Sequence, residues 1–260
     1  MEAQPARMTP KPKRRWFQLS LATLLLLTAV CAVVLALWVT PAARQRRTVA
    51  FVGSLGGYVE YADEGDAAAL APAWFREWLG RDYFRSVRGI DLSNTLVSDA
   101  GLAQLEGLTA LENLSLSYTQ VSDAGMVHLK GLTALEVLYL FNTQTRDAGL
   151  VHLKALTALE ELQLYNTRIS DAGLAHLNGL SALEVLNLWG TQISDAGMVH
   201  LKGLTGLKAL SLSNTLVGDA GLAHLNGLTS LGDLSLTGTR VSAAGIAELR
   251  AALPNCDIRN

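Results

Sequence analysis

An α/β solenoid, with short parallel strands along a concave face and short helices along a convex one, is the fold this sequence predicts. An apolar N-terminal helix precedes it. Three observations carry that expectation. Thr95, Thr119, Thr143, Thr167, Thr191, Thr215 and Thr239 recur every 24 residues without insertion or deletion, and Gly101, Gly125, Gly149, Gly173, Gly197, Gly221 and Gly245 keep the same period. Within a unit, Leu114 and Leu116 alternate with Asn113, Ser115 and Ser117, the period of two expected of a strand. Ahead of the repeats, residues 17–39 hold no charged side chain.

Taken from the N-terminus, residues 1–16 form a basic tail. The 23 residues from Phe17 to Val39 follow; as a helix they would span roughly 35 Å, enough for a hydrocarbon core of about 30 Å. Trp16 and Trp38 stand near the two ends, where indole rings favour the membrane interface. Arg7, Lys11, Lys13, Arg14 and Arg15 precede the run, and Arg44, Arg46 and Arg47 follow it. Five cations against three place the N-terminus in the cytoplasm and the bulk of the chain outside. A cleaved signal peptide is the competing reading, but the run is long and Pro41-Ala42-Ala43 makes a poor cleavage site. Arg14-Arg15-Trp16-Phe17 departs from a twin-arginine signal at Gln18, and Cys31 lacks the context of a lipidated cysteine. A retained transmembrane helix over 17–39 is the preferred reading.

Residues 40–47 read as a basic juxtamembrane linker, and residues 48–86 break the 24-residue period. In the latter stretch Thr48 to Leu55 predicts a short helix, Gly56-Gly57 a turn, Tyr58 to Tyr61 an edge strand, Asp63 to Asp66 a polar loop, and Pro72 to Leu79 a helix opened by proline. A solenoid needs its first core layer covered, so 48–86 is expected to be an N-terminal cap.

From 87 to 260 the chain is repetitive. One unit reads L-T-A-L-E-N-L-S-L-S-Y-T-Q-V-S-D-A-G-M-V-H-L-K-G, from Leu108 to Gly131. Ser122 is a suitable N-cap, and Asp123 suits the positive end of a helix expected over Asp123 to Lys130. Met126 and Leu129 would share its buried face, and Gly131 would end it in the left-handed conformation. The Thr column is expected to satisfy backbone groups at the strand-to-helix turn. Thr145 and Arg146 stand at the core-valine and N-cap positions of the third unit, and Ala155 at its terminating glycine, so that unit is expected to be the loosest. Gly218 and Ala243 weaken later caps.

The motif L-x-x-L-x-L-x-x-T resembles the leucine-rich-repeat signature, with Thr where many families carry Asn or Cys. The resemblance covers about Val87 to Asn260, as seven units and a closing half-unit, Leu253-Pro-Asn-Cys-Asp-Ile. The anchor, cap and D-A-G-L repeats together are similar to a group of bacterial membrane-anchored leucine-rich-repeat proteins. The repeats also look like those of F-box-associated adaptors, but no F-box precedes them, so a ubiquitin-ligase role does not carry over. The resemblance implies a leucine-rich-repeat solenoid with parallel strands on the concave face and short helices on the convex face.

Charge narrows the function. The formal net charge is −2, yet residues 1–47 hold eight Lys/Arg against Glu2 alone. The remaining 13 Lys/Arg face 22 Asp/Glu, a net −9. The basic end suits anionic lipid, and the acidic remainder argues against a nucleic-acid partner. The two cysteines, Cys31 and Cys256, are too differently placed for a disulfide. Five histidines (His128, His152, His176, His200 and His224) share one repeat phase. A metal ladder is the sharper reading of them. However, successive helices stand about 10 Å apart, and nitrogens sharing a zinc ion must lie about 2 Å from it. They are read as a repeated polar helix surface. The sequence holds no nucleophile elbow, metalloprotease helix or phosphate-binding loop, so no catalytic residue, metal or cofactor is expected.

The concave face is where function is expected. The last strand column reads Ser93, Ser117, Phe141, Tyr165, Trp189, Ser213 and Thr237, with three consecutive aromatics. Strands about 4.8 Å apart would make these rings a strip. Tyr118 and Tyr139 lie beside it, with Glu161, Gln163, Asn142, Asn166 and Asn187 supplying polar groups. Aromatic patches with polar neighbours are typical binding hot spots; cross-strand ring packing that merely stabilises the sheet is the bland alternative. The expectation is a membrane-tethered, non-catalytic module that binds a protein ligand here. The alternatives are recognition of a glycan or cell-wall polymer, and a structural envelope protein without a discrete ligand.

Overall fold

The computed structural model describes residues 21–34, 40–62 and 85–260. It divides into two compact units, Met1–Pro41 and Ala42–Asn260. In the first, helix α1 (Leu21–Val34) is uncharged and apolar but for Thr23 and Thr28, and Leu21, Leu24, Leu25, Leu26, Val30 and Val33 are exposed. Its 14 residues rise about 21 Å, short of a hydrocarbon core. Among the described residues no helix is long and apolar enough to cross a membrane. The rest of the expected 17–39 span lies outside the described residues, as do the tail 1–16, the loop at Asp63–Asp66 and the helix at Pro72–Leu79.

The second unit is built on one nine-stranded sheet whose strands run in sequence order. They are β1 (Tyr58–Tyr61), β2 (Val87–Asp91), β3 (Asn113–Ser115), β4 (Val137–Tyr139), β5 (Glu161–Gln163), β6 (Val185–Asn187), β7 (Ala209–Ser211), β8 (Asp233–Ser235) and β9 (Asp257–Arg259). The edge strand β1 pairs antiparallel with β2; all later pairs are parallel. Between the parallel strands the register never slips: Leu114, Leu138, Leu162, Leu186, Leu210 and Leu234 stand opposite one another in turn. All six are at most 2% exposed, as are Leu116, Leu140, Leu164, Leu188, Leu212 and Leu236. Parallel β-coils stacked in this way form a leucine-rich-repeat solenoid.

The residues expected to form a linker at 40–47 are helical instead, within α2 (Thr40–Ser54). Proline is tolerated in a helix's first turn, so Pro41 does not stop this one. The helix also has something to dock against. Thr48 is buried and its hydroxyl donates to the Gln104 carbonyl at 2.6 Å, Val52 is fully buried, and Gln45 Nε2 donates to the Arg85 carbonyl. With β1, α2 covers the first core layer, so the cap begins several residues earlier than the period break at 48 suggests.

The convex side also departs from expectation. The helix expected over Asp123–Lys130 is one α-helical turn, Asp123–Met126, followed by a 3-10 turn, Val127–Leu129. Strands stack at about 4.8 Å whereas α-helices are about 10 Å across, so the outer side must use short, narrow turns and curve away. Gly131 is not left-handed; Gly107 (φ 84°) and Gly179 (φ 99°) are. The recurrent left-handed position lies elsewhere, just before each Thr, at Asn94, Tyr118, Asn142, Asn166, Gly190, Asn214 and Gly238. The following Thr closes that turn. Thr119 Oγ1 donates to the Leu116 carbonyl at 2.6 Å and accepts from Val121 N at 3.4 Å, and the other threonines repeat the donated bond.

Candidate functional site

The rings expected in a strip do meet. Phe141 and Tyr165 stack with centroids 4.1 Å apart and planes 12° from parallel. Tyr165 meets Trp189 edge-on at 6.2 Å, Tyr118 meets Phe141 edge-on at 5.3 Å, and Tyr139 lies tilted against Phe141 at 6.2 Å. Five side chains from four successive repeats therefore form one cluster at the loop end of the concave face. Its two ends are the most open: Tyr118 is 53% exposed and Trp189 36%. Contacts of this kind contribute about 0.5–1.5 kcal/mol each beyond area burial.

Hydrogen bonds fix the cluster's polar rim. Burial, then the charge and hydrogen bond of Glu161, push the Tyr139 phenol up, so Tyr139 stays a donor to that carboxylate. Glu161 also accepts from Gln163 Nε2 at 3.0 Å. Burial likewise raises the Tyr165 phenol, helped by a hydrogen bond shared with Tyr118. Asn187 Oδ1 accepts from Trp189 N at 3.0 Å and holds the chain as it leaves β6. Asn142 and Asn166, expected to offer polar groups to a ligand, occupy the left-handed turn position (both φ 55°), and the Asn166 carboxamide oxygen lies over Gly190. They stand at the rim, beyond the groove that ends at Tyr139 and Phe141.

Three features escape a reading of the sequence strand by strand. The cap contributes a wall: a groove of about 360 Å³ runs from Tyr58 and Glu60 past Asp91 and Asn113 to Tyr139 and Phe141. Only the antiparallel register Tyr58↔Asp91 brings those residues together, and no local pattern encodes it. Ser117, in the aromatic column, is fully buried with no partner for its Oγ. Finally, Glu112, Glu136, Glu160 and Glu184 form a row at the strand starts, joined by backbone bonds such as Glu160 N to the Glu136 carbonyl at 2.8 Å. The 24-residue period carries this row as plainly as it carries the rings.

On the convex side the histidines keep their single phase, and His128 Nδ1 lies 2.6 Å from Glu106. Among the described residues no three His, Cys, Asp or Glu side chains converge as metal ligands would.

No protein-family model and no curated protein matches the chain. Solved structures do. An internalin of Listeria monocytogenes, inlF, is 25% identical over 61% of this chain with a TM-score of 0.50; the match spans 50% of that chain, so the present chain corresponds to half its length. Internalin C2 of the same organism is 22% identical over 66% of this chain and 80% of its own, with a TM-score of 0.51. These likenesses agree with the solenoid seen here.

Proposed function

We propose that this chain is a membrane-tethered, non-catalytic interaction module that binds a protein partner through its concave face. One observation carries the reading: the contiguous cluster of Tyr118, Tyr139, Phe141, Tyr165 and Trp189. Sheet packing alone accounts for the stacked pair Phe141–Tyr165. It does not account for Tyr118, an aromatic residue in a left-handed turn (φ 57°) where four other repeats place Asn. Such a backbone costs on the order of 1–2 kcal/mol for a residue with a bulky Cβ substituent. A half-exposed ring kept at that cost supports a binding role. The preference for a protein over a glycan rests on ring geometry. Edge-on contacts at both ends give a ridged surface suited to side chains, where sugar rings stack best on flat, open faces. Tethering rests on the uncharged run 17–39 and its flanking cations. It puts the chain in the cell membrane as a single-pass protein, with its N-terminus in the cytoplasm and the repeats outside.

Photo-crosslinking in intact membranes tests this, with a reactive amino acid at position 189 and a convex control at position 176. A discrete protein adduct at 189 alone is the expected result, weakened at least about 30-fold by Tyr165→Ala, as a hot-spot truncation of about 2 kcal/mol is. Loss of the adduct on adding soluble glycan would favour the polymer reading. A folded, membrane-bound product with no adduct at 189 would favour a structural envelope protein.

A further inference from the structure

The charged residues that line the groove beside the rings, Glu60 and Asp91, are both acidic. Along the strand starts the order of charges is Arg88, Glu112, Glu136, Glu160, Glu184, Lys208. The outer glutamates are neutralised: Arg88 Nε pairs with Glu112, and Lys208 Nζ lies 2.6 Å from Glu184. The remaining cation on this face, Arg259, is likewise taken, by Asp233. Glu136 and Glu160 form no ion pair among the described residues, although the Arg88 charge is also felt at Glu136, and Glu161, one position further into the sheet, forms none either. These three sit in the same repeats as Phe141 and Tyr165. Glu161 and Tyr165 are four positions apart, about 13 Å of extended chain, a gap that admits a strand or a helix of about 10 Å diameter.

Like charges on adjacent strands repel, so leaving the central two bare while pairing the flanking two is unfavourable in the free protein. It becomes favourable when a cation arrives. We infer that the occupant of the concave groove is a basic segment of a protein, with arginine or lysine side chains laid across the Phe141–Tyr165–Trp189 rings and their charged ends at Glu136, Glu160 and Glu161. This rests on the proposed concave-face binding and specifies its partner. Long basic side chains have the required form, an apolar stem that covers rings and a cationic head that reaches past them. An acidic segment would meet carboxylates with no free cation on this face among the described residues.

The test uses the full chain purified in non-ionic detergent and a dodecapeptide of alternating arginine and leucine, with glutamate replacing arginine in a control peptide, read by calorimetry. Saturable binding of the arginine peptide alone is expected. It should weaken at least about tenfold in E136Q/E160Q/E161Q, and likewise on raising salt from 0.1 to 1 M, which shortens the Debye length from about 10 to about 3 Å. Trp189→Ala should weaken it too, and circular dichroism melting of each variant checks the fold. If Trp189→Ala weakens binding and the glutamine variant does not, the aromatic site stands and the basic partner is wrong. If neither variant alters binding, or both peptides bind equally, or none binds, the assignment to this groove fails altogether.

Discussion

The aspartate that opens each convex turn acts on the neighbouring repeat. Asp99 Oδ1 accepts from Ser122 N at 2.7 Å and its Oδ2 accepts from Ser122 Oγ at 2.6 Å; Asp147, Asp171 and Asp219 do the same for Ser170, Ser194 and Ser242. The glycine of the next unit is needed for this, because a Cβ at Gly125 would collide with the Asp99 carboxylate. Ala243 stands at this position in the last unit. The Ser242 bonds, side chain first and then backbone, hold the Asp219 carboxyl below its ordinary value. A carboxyl so lowered contributes stability above its unfolded pKa and loses it as pH falls through the folded one. Asp219→Asn should therefore flatten the decline of the urea midpoint below the ordinary aspartate range; curves for the two proteins that stay parallel there would refute the linkage. Tyr118→Asn is a second test at this scale. It relieves a left-handed backbone costing about 1–2 kcal/mol and forfeits one exposed edge contact of about 0.5 kcal/mol together with the hydrogen bond shared with Tyr165, worth about 0.5 kcal/mol at this exposed position. Unfolding stability should hold or rise by up to about 1 kcal/mol while concave binding weakens. A drop in stability would mean that the ring contact outweighs the strain.

At the level of one repeat, the third unit shows what a missing serine does. Arg146 still donates its backbone N to Asp123 Oδ1 at 2.7 Å, but it supplies no hydroxyl for Oδ2 and no side-chain cap. Thr145, at the core-valine position, is fully buried, and its hydroxyl is hydrogen-bonded with that of Thr143 at 3.0 Å, so that polar group is satisfied. Arg146→Ser should restore the carboxylate's second bond and raise stability by about 1 kcal/mol, with slower amide exchange through Asp147–Leu150. No gain would show that the backbone bond alone suffices. Gly218→Ser should behave alike, since a Cβ there stands 3.4 Å from the Asp195 carboxylate and the backbone (φ −122°) accepts any residue. Which of these features the sequence discloses depends on whether they are local. Leucine alternation, the Thr column and the Phe141–Tyr165–Trp189 strip follow from periods of 2 and 24 with an invariant register. The convex turn length follows from lateral crowding between coils. The Asp–Ser–Gly lock joins residues 23 to 26 positions apart in different units, and the cap wall needs an antiparallel pairing; no window along one unit displays either. The glutamate row is periodic, but it emerges only when the charge of one column is set beside the rings of another.

In the whole solenoid each coil contacts its neighbours alone, so stability propagates as a chain of interfaces. Both ends of that chain are closed in different ways. At the first, α2 and β1 lie over Leu92 and Val97, with Val52 inserted. At the last, the convex turn lengthens into a ten-residue helix, Ala243–Ala252, and β9 supplies Ile258, with Leu253 beneath. A defect should therefore act according to its position. Leu162, fully buried in β5 between two leucines of its column, should cost about 2–5 kcal/mol as Leu162→Ala. That is comparable to one interface, so it should divide the array into two blocks that melt with a shallower denaturant slope. Leu234→Ala, equally buried in β8, removes the same methyl groups next to the C-terminal closure. There the unfolding of β8, β9 and Ala243–Ala252 exposes little else, so the end should fray while the upstream repeats keep their midpoint. Hydrogen exchange separates the cases: the end variant should lose protection after about Asp233 alone, and the central one on both sides of β5. Equal, chain-wide loss in both variants would mean that the array unfolds as one cooperative block and that nearest-neighbour stacking does not govern it.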